Sequence, residues 1–132
     1  AFLRIDDKQI FDKSRIYAPD HVVVVDPTLV EAIDITDGLK PGGTIVINSD
    51  RRPEDFPFHG KFQVRTVNAT EIAVKHKLGS LAAPIVNTAI AGAVVKIFGA
   101  AKFESLAAAI RDGIGIKPED NVQAAREAFE KA

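Results

Sequence analysis

Two β-branched runs constrain this chain more than any other feature. His21-Val22-Val23-Val24-Val25 and Thr44-Ile45-Val46-Ile47-Asn48 are continuously apolar at their centres rather than alternating. That is the pattern of strands covered on both faces, as in a parallel sheet flanked by other layers. Asp26-Pro27 closes the first run, and Lys40-Pro41-Gly42-Gly43 makes a tight turn into the second. A third such strand is expected at Val64 to Ala69. Thr28 to Ala32 suits a short helix, and Asp50 to Gly60, with two Pro and no periodicity, suits an excursion over the surface.

Ahead of these strands, residues 1–17 alternate apolar and polar positions around Asp6-Asp7-Lys8, which predicts a β-hairpin. After residue 70 the period becomes helical. Thr70 to Leu78 is expected as a helix capped by Thr70 and stopped by Gly79, without a reciprocal cap because Ala73 stands where Glu or Gln would be needed. From Pro84 to Phe98 only Asn87, Thr88 and Lys96 interrupt an apolar surface, so burial on almost every side is predicted. Its small residues Ala89, Ala91, Gly92 and Ala93 admit a close backbone approach, which suits a helix pressed between the sheet and a partner surface. Phe103, Leu106, Ala107 and Ile110 mark an amphipathic helix ending at Gly113 or Gly115. Pro118 then occupies the first position of a last helix, with Glu119 and Asp120 at its positive end. Only Val122, Ala125 and Phe129 offer that helix anything to bury, so weak docking is expected.

Strands followed by helices, short turns and no repeats predict one α/β domain over residues 1–132. The expected architecture is a Rossmann-like three-layer unit with a mainly parallel sheet and an N-terminal β-hairpin. At 132 residues and 46% hydrophobic content the chain is large enough for a core without disulfides or a structural metal. It has no Cys, which excludes zinc-thiolate sites, Cys-held iron–sulfur clusters and a cysteine nucleophile within this chain. A net charge of −1, from 17 basic and 18 acidic residues, argues against nucleic acid or an anionic membrane as partner. The Pro84–Phe98 segment is too short and interrupted to span a bilayer. Ala1 opens directly into strand-like sequence without a Met, so the natural start is expected upstream.

No catalytic motif is present. His21, His59 and His76 have no second ligand at metal-binding spacing, no Ser lies in G-x-S-x-G, and neither glycine-rich phosphate loop occurs. Open parallel sheets bind ligands at the carboxyl ends of their strands. Here that edge collects Asp26-Pro27-Thr28, Asn48-Ser49-Asp50-Arg51-Arg52 and Asn68-Ala69-Thr70. Arg51 and Arg52 are candidates for a phosphate or carboxylate, against solvated surface charge. Asn87 and Thr88, polar inside an apolar helix, must either find buried partners or stand at a subunit or ligand interface.

Several segments together resemble a known family. Arg4-Ile5-Asp6-Asp7-Lys8, Ile16-Tyr17-Ala18-Pro19-Asp20-His21 through Asp26-Pro27-Thr28-Leu29, and Gly38-Leu39-Lys40-Pro41-Gly42-Gly43 through Asn48-Ser49 are similar to the gamma subunit of pyruvate and related 2-oxoacid:ferredoxin oxidoreductases. Pro84-Ile85-Val86-Asn87-Thr88 through Ala93, Glu104-Ser105-Leu106 through Ile110 and Lys117 to Glu130 extend the similarity along the chain in order. The resemblance implies a multisubunit, cytoplasmic, oxygen-sensitive enzyme that converts a 2-oxoacid and coenzyme A to acyl-CoA and carbon dioxide and reduces ferredoxin. It implies thiamine diphosphate with magnesium between alpha and beta subunits, and iron–sulfur clusters on other chains, a delta-type subunit among the partners. This chain is then a structural subunit near the coenzyme A side, with no catalytic residue of its own and no cofactor bound by it alone. Arg51 and Arg52 are the expected coenzyme-A-proximal residues; Asn87, Thr88, Gly92 and Ala93 are the expected interface. The family's N-terminal glycine-rich segment is expected upstream of Ala1. Pyruvate is the expected 2-oxoacid. The alternatives are a branched-chain 2-ketoacid enzyme, which the same segments resemble more than the 2-oxoglutarate or indolepyruvate groups, and a stand-alone nucleotide- or acyl-binding α/β domain.

Overall fold

The computed structural model describes residues 1–132. Three strands, β1 (His21–Val24), β2 (Thr44–Asn48) and β3 (Gln63–Val67), form a parallel sheet in the order β1-β2-β3. Register pairs His21 with Thr44 and Thr44 with Gln63, and ends with Asn48 beside Val67. Helix α1 (Leu29–Ala32) and a single 3-10 turn at Pro53–Asp55 interrupt the connections, and α2 (Ala69–Lys75), α3 (Asn87–Phe98), α4 (Phe103–Gly113) and α5 (Pro118–Lys131) follow. The expected α/β arrangement with a parallel sheet is present.

The central strand explains why the β-branched runs are continuous. Every residue of β2 is buried, with Ile45, Val46 and Ile47 fully so. One face, with Val24, Ile45, Ile47 and Val64, packs on Leu39, Phe56 and Phe62 from the connecting loops. On the other, Val67 joins Ile72, Leu78, Ile90, Ala93 and Ala128 from α2, the segment after it, α3 and α5, and Phe98 stacks on His21 at 4.3 Å between ring centroids. One outer layer is therefore made mainly of loops, because α1 is only one turn long. Gly38, at φ 74°, is required there: a Cβ would strike the Tyr17 carbonyl.

The last helix is central rather than weakly docked. Thr88 lies beside Asn121, Gly92 against Ala125, and the Lys96 ammonium over the Phe129 ring at 5.0 Å. Steps of four on both helices mean that α3 and α5 run in the same direction with their i, i+4 ridges in contact. Val122, Ala124, Ala125 and Ala128 are fully buried. Small side chains did not signal weak docking; they let the backbones approach. A Cβ on Gly92 would fall on the Ala125 carbonyl.

Residues 1–20 contain no strand, so the expected N-terminal hairpin is absent. The chain does double back, with Arg4 donating to the Ser14 carbonyl at 2.6 Å and pairing with Asp12 at 3.3 Å. Asp6 and Asp12 instead bond the backbone N–H two residues on, a local alternative to a ladder. Phe2, Leu3, Ile5 and Phe11 find no layer to cover them, and a two-stranded ribbon without one is marginal.

Two helix starts also differ from expectation. Asn68, not Thr70, caps α2: its Oδ1 accepts from the Glu71 N–H and its Nδ2 donates to the Glu71 carboxylate. Thr70 is drawn instead to Asn48. Helix α3 begins at Asn87 rather than Pro84, since the Ile85 N–H is taken by the Leu78 carbonyl and Gly79 bridges to Pro84. Its outer face is also half-exposed rather than buried all round.

Candidate functional site at the carboxyl edge of the sheet

The edge where β1, β2 and β3 end is held by Asn48, which the sequence places at this edge without a role of its own. Asn48 is 3% exposed. Its Nδ2 donates to the Val25 carbonyl at 3.0 Å and to Thr70 Oγ1 at 2.9 Å, while its Oδ1 accepts from the Thr70 N–H at 3.2 Å. One amide thus ties the exit of β1 to the start of α2 across the end of β2. A polar residue closing a buried β-branched run was the signal for it, because a buried amide must be bonded.

Beyond Asn48 the edge opens into a cleft of about 290 Å³ lined by Ser49, Asp50, Thr66, Asn68, Glu71 and Lys131. Two carboxylates face one ammonium, and that ammonium is already engaged with Glu127 at 2.8 Å. Glu127 accepts as well from Lys75 at 3.0 Å and from His76 Nε2 at 2.8 Å. Hydrogen bonds from Lys131, His76 and Lys75 hold its carboxyl down at about 2. This cluster fastens α5 to α2 behind the cleft. On the β1 side Asp26 accepts from the Thr28 hydroxyl and N–H, which lowers its pKa.

Arg51 and Arg52 lie on the loop that follows Asp50 and are brought together by Asp55. Arg51 donates to the Asp55 carbonyl at 2.7 Å and lies 4.6 Å over the Phe56 ring. Arg52 pairs with the Asp55 carboxylate at 3.2 Å, and the hydrogen bond from Arg52 lowers the Asp55 pKa. The Arg52 side chain is nonetheless 78% exposed. Both guanidiniums retain donors for an anion.

The other expected group is largely used inside the chain. Thr88 donates to Asn121 Oδ1 at 2.6 Å, and the Asn121 amide donates in turn to the Ile116 and Lys117 carbonyls. Thr88, Gly92 and Ala93 are buried against α5 and the core, because the nearest helix able to fill a small-residue surface is in the same chain. Of the four, Asn87 alone is exposed, with its Oδ1 accepting from the Thr88 N–H. No three His, Cys, Asp or Glu side chains converge as a metal site, and no helix is long and apolar enough to cross a membrane.

The family model described as pyruvate ferredoxin/flavodoxin oxidoreductase matches residues 1–131. Among curated proteins, the "Pyruvate/ketoisovalerate oxidoreductases common subunit gamma" of Pyrococcus abyssi is 46% identical over 99% of this chain and 71% of its own length. The "Pyruvate synthase subunit PorC" of Methanocaldococcus jannaschii is 41% identical over 98% of this chain and 68% of its own. Among solved structures, the pyruvate oxidoreductase subunit PORC of Thermotoga maritima superposes with a TM-score of 0.71 at 28% identity. It covers 87% of this chain, which spans 64% of that one.

Proposed function

The chain belongs to the pyruvate ferredoxin/flavodoxin oxidoreductase family, and from that premise we propose that it is the gamma-type subunit of a multisubunit cytoplasmic enzyme. That enzyme converts a 2-oxoacid, coenzyme A and oxidised ferredoxin to acyl-CoA, carbon dioxide and reduced ferredoxin. The observation that carries this reading is a match running the length of the chain to relatives named as subunits of such enzymes. Pyruvate is the principal 2-oxoacid. Ketoisovalerate is a second, because relatives at 46% and 45% identity are named as the gamma subunit common to both oxidoreductases.

In this reading thiamine diphosphate, magnesium and the iron–sulfur clusters belong to alpha, beta and delta-type companions, and this chain contributes structure on the coenzyme A side. Arg51 and Arg52 then meet phosphate on the loop after Asp50, and Asn87 lies at a subunit contact. The stand-alone nucleotide- or acyl-binding domain is the rival. Purification of the intact protein from its native cells separates them: companion chains should copurify in fixed ratio. A monomer free of companions at native concentration would overturn the subunit reading. In the purified complex, removing both guanidiniums (Arg51→Ala with Arg52→Ala) should raise the coenzyme A KM several-fold; an unchanged KM leaves them as surface charge.

A further inference from the structure

Of the large apolar side chains after residue 33, Leu81, Ile85 and Ile116 alone stand exposed, Leu81 at 85% and Ile116 at 80%. They lie on two loops that meet around the amino end of α3. Lys117 Nζ, on the second loop, donates to the Lys77 carbonyl at 2.8 Å, where the first loop begins. The first loop is closed on itself by the Ile85 N–H donating to the Leu78 carbonyl and by a single bridge between Gly79 and Pro84. On the second, the Ile116 and Lys117 carbonyls accept from the Asn121 amide, whose oxygen holds Thr88 in the first turn of α3. Both loops are thus fixed before anything binds, which leaves little ordering entropy to lose.

In a chain that is 27% charged, residues 78–95 carry no charge, and residues 113–116 read Gly-Ile-Gly-Ile. Leu81, Ala82, Ala83, Ile85 and Asn87 are nonetheless exposed. A solvated loop carries charge, whereas the centre of a protein–protein contact is depleted of it. Where the two loops meet stand Lys77 and Lys117, both exposed and neither bonded to a carboxylate. Glu119, just beyond, is already taken by Arg111 at 2.6 Å. We infer that Leu81, Ile85 and Ile116 anchor a contact with a companion subunit, which covers them with an apolar surface bearing a carboxylate for Lys77 and Lys117. The inference rests on the proposed subunit role. Apolar side chains at the centre supply affinity, and a carboxylate against the two ammonium groups at the rim fixes register. A second copy of this chain meeting the same face would set Lys77 and Lys117 against themselves.

The test uses the intact complex. The N–H groups of Leu81, Ala82 and Ile116 donate to no backbone carbonyl, so they exchange with solvent quickly unless something covers them. In the complex their exchange should be slowed roughly tenfold or more, and a zero-length carbodiimide should join Lys77 or Lys117 to an Asp or Glu of a companion. Leu81→Glu, at a position that touches little of its own chain, should weaken retention of the chain in the complex roughly tenfold. Fast exchange in an assembled complex, or unchanged retention of Leu81→Glu, would overturn the contact while leaving the subunit reading intact. Cross-links from Lys77 and Lys117 only to this chain, or between two copies of it, would overturn the companion as occupant. A chain that copurifies with no companion removes the subunit reading and the contact with it.

Discussion

In residues 1–33 ten large apolar side chains stand exposed and only Val24 is buried, whereas residues 34–132 hold every other buried residue and leave only Leu81, Ile85 and Ile116 of their large apolar side chains exposed. Hydrophobicity does not separate the two regions; Phe2, Leu3, Ile5 and Phe11 are as apolar as Ile45, Ile47 and Phe56. The difference is an opposing layer. Each core residue after position 33 has a second surface to meet: loops on one face of β2, α2 and α3 on the other, α5 against α3 and α4. Apart from Val24, with Val22 and Val30 beside it, the first region has none, so its exposed apolar side chains contribute little to the stability of the chain by itself.

The sharpest break in that comparison is at Gly92. Any side chain there meets the Ala125 backbone, and backbone cannot turn aside as a rotamer can. Gly92→Leu should destabilise the chain by about 3 kcal/mol or prevent folding, as read from urea unfolding. A loss below about 0.5 kcal/mol would show that α3 and α5 separate without cost.

A smaller effect tests how α5 is fastened. The Glu127 carboxyl is held at about 2 in the folded chain, against an ordinary value of 4.5, chiefly by hydrogen bonds from Lys131, His76 and Lys75. A carboxyl depressed on folding contributes stability that is complete above 4.5 and lost as pH falls from 4.5 through 2. Glu127 is 15% exposed at an otherwise solvated cluster, so screening limits its contribution to about 1 kcal/mol. Glu127→Gln should lower stability at pH 7 by about that amount and flatten the loss of stability between pH 4.5 and 2. An acid limb identical to the wild type would place the acid sensitivity elsewhere.

The two regions also differ in how well the sequence announces them. The β-branched runs name β1 and β2 because strands covered on both faces need no polar alternation. Pro118 names the start of α5 because its missing N–H is harmless at that position. By contrast, residues 1–17 carry a strand-like alternation whose covering layer no local pattern reports. The packing of α5 is hidden for a related reason: Ala124, Ala125 and Ala128 are small, and their worth lies in the approach of another backbone, which depends on Gly92 more than thirty residues away. At the site, the carboxyl edge was legible from topology, whereas Asn48 draws its meaning from Val25 and Thr70, each more than twenty residues distant.

The smallest expected effect bears on the exposed region itself. Phe11 is 80% exposed, so Phe11→Ser removes little contact within the chain and should shift its unfolding by less than about 0.5 kcal/mol. In the intact assembly the same substitution exposes a different quantity. If companions cover residues 1–33, a Ser there leaves a void among apolar neighbours, and the complex should dissociate at lower urea while the free chain is unchanged. Equal behaviour of variant and wild type in both states would mean that Phe11 lies outside the covered surface. A loss confined to the free chain would reverse the comparison, showing that residues 1–33 form a layer of their own.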